Sequence, residues 1–170
     1  MKKLIAALCA LLMLFAAGCK SGDKTTVDHP VDIAYFADTG EVPGAAYKVG
    51  DAVPEQNEDD DTVFFVKNGA ESFVSTGDYA FYYDAAAKDP AFYAVAAFSE
   101  CYGFEVGAIS IEITNVLDSQ GIKYTERNPG ENELFFLPGS GNRRVIECTS
   151  LKHKLIFVFE SNALCAAAVF

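Results

Sequence analysis

Apolar and polar positions alternate along much of this chain, and where they do the pattern predicts strands. In "TVFFVKNGAESFVS", residues 62–75, two such runs flank Asn68-Gly69, a strong signal for a tight hairpin turn. "DYAFYYD" follows, with Tyr79, Phe81 and Tyr83 on one parity and Ala80 and Tyr82 on the other. "DPAFYAVAAFSECYGF" admits two readings. Asp89 as N-cap, Pro90 in the first turn and Gly103 past the end would frame an Ala-rich helix. Against that, "YAFYYDAAAKDPAFYAVAAF" parallels "KLIFVFESNALCAAAVF" further along: alternating aromatics, an acid, a turn, then an Ala-laced run closing on Phe. The parallel predicts a strand over 90–102 and a weak internal repeat of one hairpin.

The period changes once. Ile109, Ile113, Val116 and Leu117 recur at helical spacing, which predicts a helix over 110–120, capped by Ser110 and ended by Gly121. Beyond it, "KYTER", "ELFFLP", "RRVIECT", "HKLIFVFE" and "ALCAAAVF" read as five strands, split by turns such as Asn128-Pro129-Gly130 and Gly139-Ser140-Gly141. The expected fold class is α+β: an antiparallel β-sheet meander packed against one helix near 110–120, with two degenerate tandem units if the repeat is real. Alanines at 163 and 166–168 would let a helix lie close to the sheet. Ahead of this domain, 62–170, residues 31–61 mix a short strand candidate at 33–37 with turn pairs Pro43-Gly44 and Gly50-Asp51. They read as a loosely structured acidic lead-in.

The first residues carry another pattern. Lys2 and Lys3 precede an unbroken apolar run over 4–17. As a helix that run would span about 21 Å, short of a hydrocarbon core of about 30 Å, so its length suits a signal peptide. Ala16, Ala17 and Gly18 then lead to Cys19. This resembles bacterial lipoprotein precursors, whose lipobox is a small-residue tripeptide ending in cysteine; Ala16 stands where that family usually has leucine. The resemblance implies removal of residues 1–18, acylation of Cys19, and a place in the bacterial cell envelope, lipid-anchored and exposed outside the cytoplasm. Two acyl chains hold firmly where one holds marginally. Residues 19–30 would then be the lipidated cysteine and a flexible tether, with His29 solvated. The helix-and-meander order over 109–170 is similar in architecture to small envelope lipoproteins of the outer-membrane-assembly type and to β-lactamase-inhibitor-protein folds. That likeness implies a fold and not a function.

Charge narrows the partners. Without residues 1–18 the chain keeps 11 basic side chains against 24 acidic ones. Residues 20–102 hold five lysines and sixteen acids, while 103–170 hold six basic and eight acidic residues. Nucleic acid needs a basic surface and is excluded as a partner. Anionic headgroups would repel the N-terminal half as well. Cys101, Cys148 and Cys165 allow one disulfide with a thiol left over, or three buried apolar thiols.

Candidate chemistry is sparse. Asp38-Thr39-Gly40 resembles the catalytic triplet of aspartic proteases, but Glu41 follows where that family has Ser or Ala, and a plain turn is the simpler reading. Cys148 and His153 flank a four-residue loop, which would make them cross-strand neighbours able to act as nucleophile and base or as two metal ligands. Glu58-Asp59-Asp60-Asp61 could gather a hard cation, though without the spacing of a calcium loop. Arg143 and Arg144 could meet an acidic partner. The sequence implies no cofactor and no dedicated metal site: it has no phosphate-cradling glycine loop, nucleophile elbow or zinc-spaced set.

Tyrosines are the stronger signal. Tyr79, Tyr82 and Tyr93 belong to a cluster richer in Tyr than ordinary cores, and surface Tyr supplies amphipathic contact area for a protein or a glycan. The sequence therefore favours a lipid-anchored, non-catalytic binding module whose partner is another envelope protein or a glycan. A membrane-tethered hydrolase using Asp38 or Cys148/His153, and a structural envelope-assembly protein, are the alternatives. Cys19→Ala is expected to move the protein from the membrane fraction and to abolish the acyl mass increment, read by fractionation and intact-mass spectrometry.

Overall fold

"LIFVF" places five apolar residues in a row before Glu160, and a strand so composed must bury both faces. The architecture does this by covering a single sheet on each side. A computed structural model describes residues 27–55, 64–68, 71–130, 133–137 and 141–170 of the chain. In chain order the elements are helix α1 (Ile33–Asp38), strands β1 (Phe64–Asn68), β2 (Glu71–Ser75), β3 (Tyr79–Asp84) and β4 (Phe92–Ala97), and a short ribbon of β5 (Glu100–Cys101) and β6 (Phe104–Glu105). Helix α2 (Ser110–Ser119) follows, then β7 (Tyr124–Arg127), β8 (Arg143–Cys148), β9 (Leu155–Glu160) and β10 (Ala163–Val169).

Eight strands form one antiparallel sheet in the order β1-β2-β3-β4-β10-β9-β8-β7. The fold is thus α+β, with a largely meandering antiparallel sheet and few helices. Strand β10 sits at its centre, paired with β4 on one side and β9 on the other. The β9–β10 hairpin turns through Ser161 and Asn162, both at positive φ, as a primed two-residue turn requires.

Strand parity sorts the core into two layers. On one face Phe81, Val95, Phe157 and Val169 cluster with Ile33 and Ala37 of α1 and with Ile113, Val116 and Leu117 of α2. On the other, Ala80, Tyr82, Ala96, Ile156, Val158 and Ala168 cluster with Phe136. The helix near 110–120 and the strand over 90–102 both form, the latter as β4 followed by β5. Asp89-Pro90 starts no helix, because the Phe92 amide and carbonyl are taken by Asp51 O and Gly50 N at 2.9 and 2.8 Å.

Several sequence expectations are corrected. The strand candidate at 33–37 is helix α1: the Asp32 carboxylate accepts from the Tyr35 amide at 3.0 Å, and Ile33 and Ala37 share one buried helical face. Nor are residues 31–55 loose. Ile33, Ala37 and Val42 are core residues, and Gln120 clamps the segment by accepting from Ile33 N and donating to Val31 O at 3.0 and 2.8 Å. His29 is not solvated in a free tether. Its Nε2 donates to Tyr102 O at 2.7 Å, its ring stacks on Phe104 at 4.5 Å, and a Cβ on Gly103 (φ +84°) would lie only 2.9 Å from it. Ser110 is not the cap of α2. Ile109 holds that place, and Glu112 Oε2 accepts from the Ile109 amide at 3.3 Å. "ELFFLP" is no strand either; residues 133–137 form turns, with Leu137 N donating to Leu134 O at 2.9 Å. The Asn68-Gly69 turn reaches outside the described residues, although β1 and β2 do pair.

Ile33→Ala separates a docked segment from a loose one. It is expected to lower the unfolding free energy by about 2–5 kcal/mol in urea titration, as for a buried aliphatic, against less than about 0.5 kcal/mol for a residue outside the core.

Candidate binding face

Strand parity also decides which tyrosines can act together. Tyr79 packs toward the helix-covered face, and its hydroxyl donates to Pro43 O at 3.0 Å. Tyr82, three positions along β3 and so of opposite parity, belongs to the opposite layer. Tyr93 lies at the irregularity where β4 shifts register against Tyr82 and Tyr83, and it is 37% exposed. Only Tyr82 and Tyr93 thus share a surface, and Tyr79 is separated from them by the sheet itself.

What brings Tyr82 and Tyr93 together is the turn segment 133–137, which crosses the second face as a strap. Phe135 meets Tyr82 edge-on at 4.6 Å and Tyr93 at 6.2 Å, while Phe136 lies 6.0 Å from Tyr82 and 6.2 Å from Phe98. Phe73 completes the group 5.5 Å from Tyr82. Between strap and strands remains a cavity of about 160 Å³ walled by Phe73, Ser75, Ala80, Tyr82, Phe98, Phe135 and Phe136. Burial raises the Tyr82 phenol well above its ordinary range, with Tyr93 adding to the effect, so the hydroxyl keeps its proton. The neutral Tyr82 phenol and Ser75 are the side chains with hydrogen-bonding groups in a wall otherwise made of phenylalanines and Ala80.

The strap is held by charge. Arg127 of edge strand β7 grips both Glu133 oxygens, at 2.7 and 2.6 Å, and also donates to Glu147 Oε2 at 2.6 Å. Lys154 Nζ reaches Glu133 at 3.3 Å, and the Gly130 amide donates to it at 2.8 Å. At the other end, Arg143 Nη1 donates to Leu137 O at 3.4 Å. The Glu133 side chain is 7% exposed, and the Arg127 hydrogen bonds hold its carboxyl down at about 2 despite the opposing effect of burial. Arg143 thus serves the fold, and Arg144 pairs across to Glu126.

The candidate chemical groups are dispersed. Asp38 ends α1, where its Oδ1 accepts from Lys152 N at 2.6 Å, a structural duty at a helix terminus. Cys148 faces Leu155 across β8 and β9 and not His153, whose Nδ1 donates to Phe170 O at 3.1 Å. Burial pushes the Cys148 and Cys101 thiols up to about 12, so both stay protonated; Cys165 is raised too, and all three are free. Among the described residues no group of three or more His, Cys, Asp or Glu is placed to hold a metal ion, and no helix is long and apolar enough to cross a membrane. Cys19 and the acidic run Glu58–Asp61 lie outside the described residues. Comparison with protein-family models, curated proteins and solved structures finds no match for this chain.

Sequence reasoning missed the strap and its clamp. The available signal was composition: "ELFFLP" is flanked by Gly130 and Gly139, which favours a self-contained turn over a strand. Glu133→Gln is expected to destabilise the protein by about 2 kcal/mol at pH 7, the scale of a charged hydrogen-bonded group. Because the folded carboxyl titrates near 2 and the unfolded one near 4.5, that contribution is complete above about pH 4.5 and fades as pH falls toward 2. Urea midpoints of wild type and variant should therefore converge in acid.

Proposed function

We propose that this protein is a lipid-anchored envelope lipoprotein acting as a non-catalytic binding module, tied to its membrane through Cys19 and engaging a partner through the face built around Tyr82, Tyr93 and Phe135. The carrying observation is the aromatic group on that face: exposed Tyr93 borders a strap whose Phe135 and Phe136 close over an aromatic-walled cavity. Aromatic anchors beside a small recess are the features from which interfaces draw most of their energy. The partner class is another envelope protein or a glycan, both of which use Tyr faces. The acidic balance, 24 Asp and Glu against 13 Lys and Arg in the whole chain, favours a neutral or basic one.

The two-unit reading of the fold belongs to the same proposal. Each half of the sheet is a helix followed in sequence by four strands, α1 with β1 to β4 and α2 with β7 to β10, and the halves meet at β4 and β10. This order supports two degenerate tandem units, the arrangement that the resemblance to β-lactamase-inhibitor-protein folds implies.

Site-specific photo-crosslinking from position 93 on intact cells tests the binding face. A saturable adduct is expected, and Phe135→Ala should reduce its yield by roughly tenfold or more, the loss of a typical anchor. Adducts equally abundant from position 35 on α1, or unaffected by Phe135→Ala, would refute this face as the binding surface.

A further inference from the structure

Val106, Ile109 and Ile111 are 45%, 49% and 55% exposed, three branched aliphatics within six positions around the first turn of α2. They sit at one pole of the sheet. Ile109 bridges to Ala163 beside the β9–β10 turn, whereas Asp38 and Lys152 meet beside the β8–β9 turn at the other end of β9. The N-terminal segment runs between these poles. Traced backward from Asp38 it passes Gln120 at the C-terminal end of α2, then Gly103, and then His29 stacks on Phe104, two residues before Val106. Val27, the first described residue, is itself 41% exposed. From Cys19 to Val27 the backbone can extend at most about 29 Å, less than the thickness of one bilayer core.

We propose that Val106, Ile109 and Ile111 form a lipid-contact patch that seats the domain on the bilayer to which its N-terminus is tied. The inference rests on the anchor at Cys19 proposed above. The short tether, already docked at His29, holds this pole nearest the membrane, and branched aliphatics there can enter the boundary between headgroups and acyl chains. Glu105 and Glu112 border the patch, so it suits an uncharged lipid surface better than an anionic one. Its role is orientation: with the α2 N-terminal pole on the bilayer, the sheet stands with its strands directed away from the membrane and the strap-covered face open to the side.

The chain contains no Trp, so one introduced indole is a unique reporter. The full acylated protein carrying Ile111→Trp would be reconstituted in phosphatidylcholine vesicles with interfacial doxyl-labelled lipid, beside a Tyr35→Trp counterpart. Tyr35 is 60% exposed on α1 and serves as the reference. Blue-shifted emission and severalfold stronger quenching at position 111 are expected, reverting to the reference level when Val106→Glu and Ile109→Glu are added. Equal quenching at 111 and 35, in protein that co-floats with the vesicles, would overturn the patch and leave the anchor standing. Protein that fails to float would overturn the anchor reading and this proposal together.

Discussion

The whole architecture hangs on a seam of small side chains. Strands β4 and β10 join two four-stranded meanders through three residue pairs: Ala97 with Ala167, Ala96 with Ala168, and Val95 with Val169. All six are buried, Ala97 and Ala167 against the helix-covered face, Ala96 and Ala168 under the strap. Helix and ribbon on one side and Phe136 on the other can approach only because the seam is nearly flat. A larger side chain there would push apart layers packed at interior density, with no room to relax on either face. The alanines that would admit a close helix thus admit covers on both sides.

That double cover explains where the sequence was legible. Elements whose residues answer to one local rule could be read directly. Helix α2 shows its period through Ile113, Val116 and Leu117, and strands such as β3 and β9 show runs of aromatic and branched residues. The internal parallel pointed to a strand at 90–102 against the helix preference of alanine, and the strand forms because β3 and β10 take up the hydrogen bonds of β4 on both sides. Helix α1 escaped because six residues are too few for alternation and helical spacing to diverge; Asp32 as cap was the deciding sign.

The candidate site was legible only in part, for a related reason. Aromatic richness pointed to the correct strands, yet parity alone places Tyr79 behind the sheet and Tyr82 before it. Which rings gather depends on residues 133–137, whose position is set by an arginine on the sheet edge. No local pattern links Arg127 to Glu133, Glu147 and Lys154 as one charged knot. Likewise the spacing of Cys148 and His153 suggested contact, but the register gives Cys148 to Leu155. Long-range register is what a single sequence conceals.

The placement of β10 sets the order in which the molecule can be made. Among the described residues it is the last of ten strands, and it fills the middle of the sheet, about seventy residues from its partner β4. Hairpins β1 to β4 can zip locally as the polypeptide emerges, but β4 remains an open edge of buried-type residues until β10 is available. During that interval the N-terminal half exposes "AVAA" as a template for foreign strands. Folding is therefore a race between closure of one long loop and self-association, and it is slowest where the finished sheet is most deeply buried.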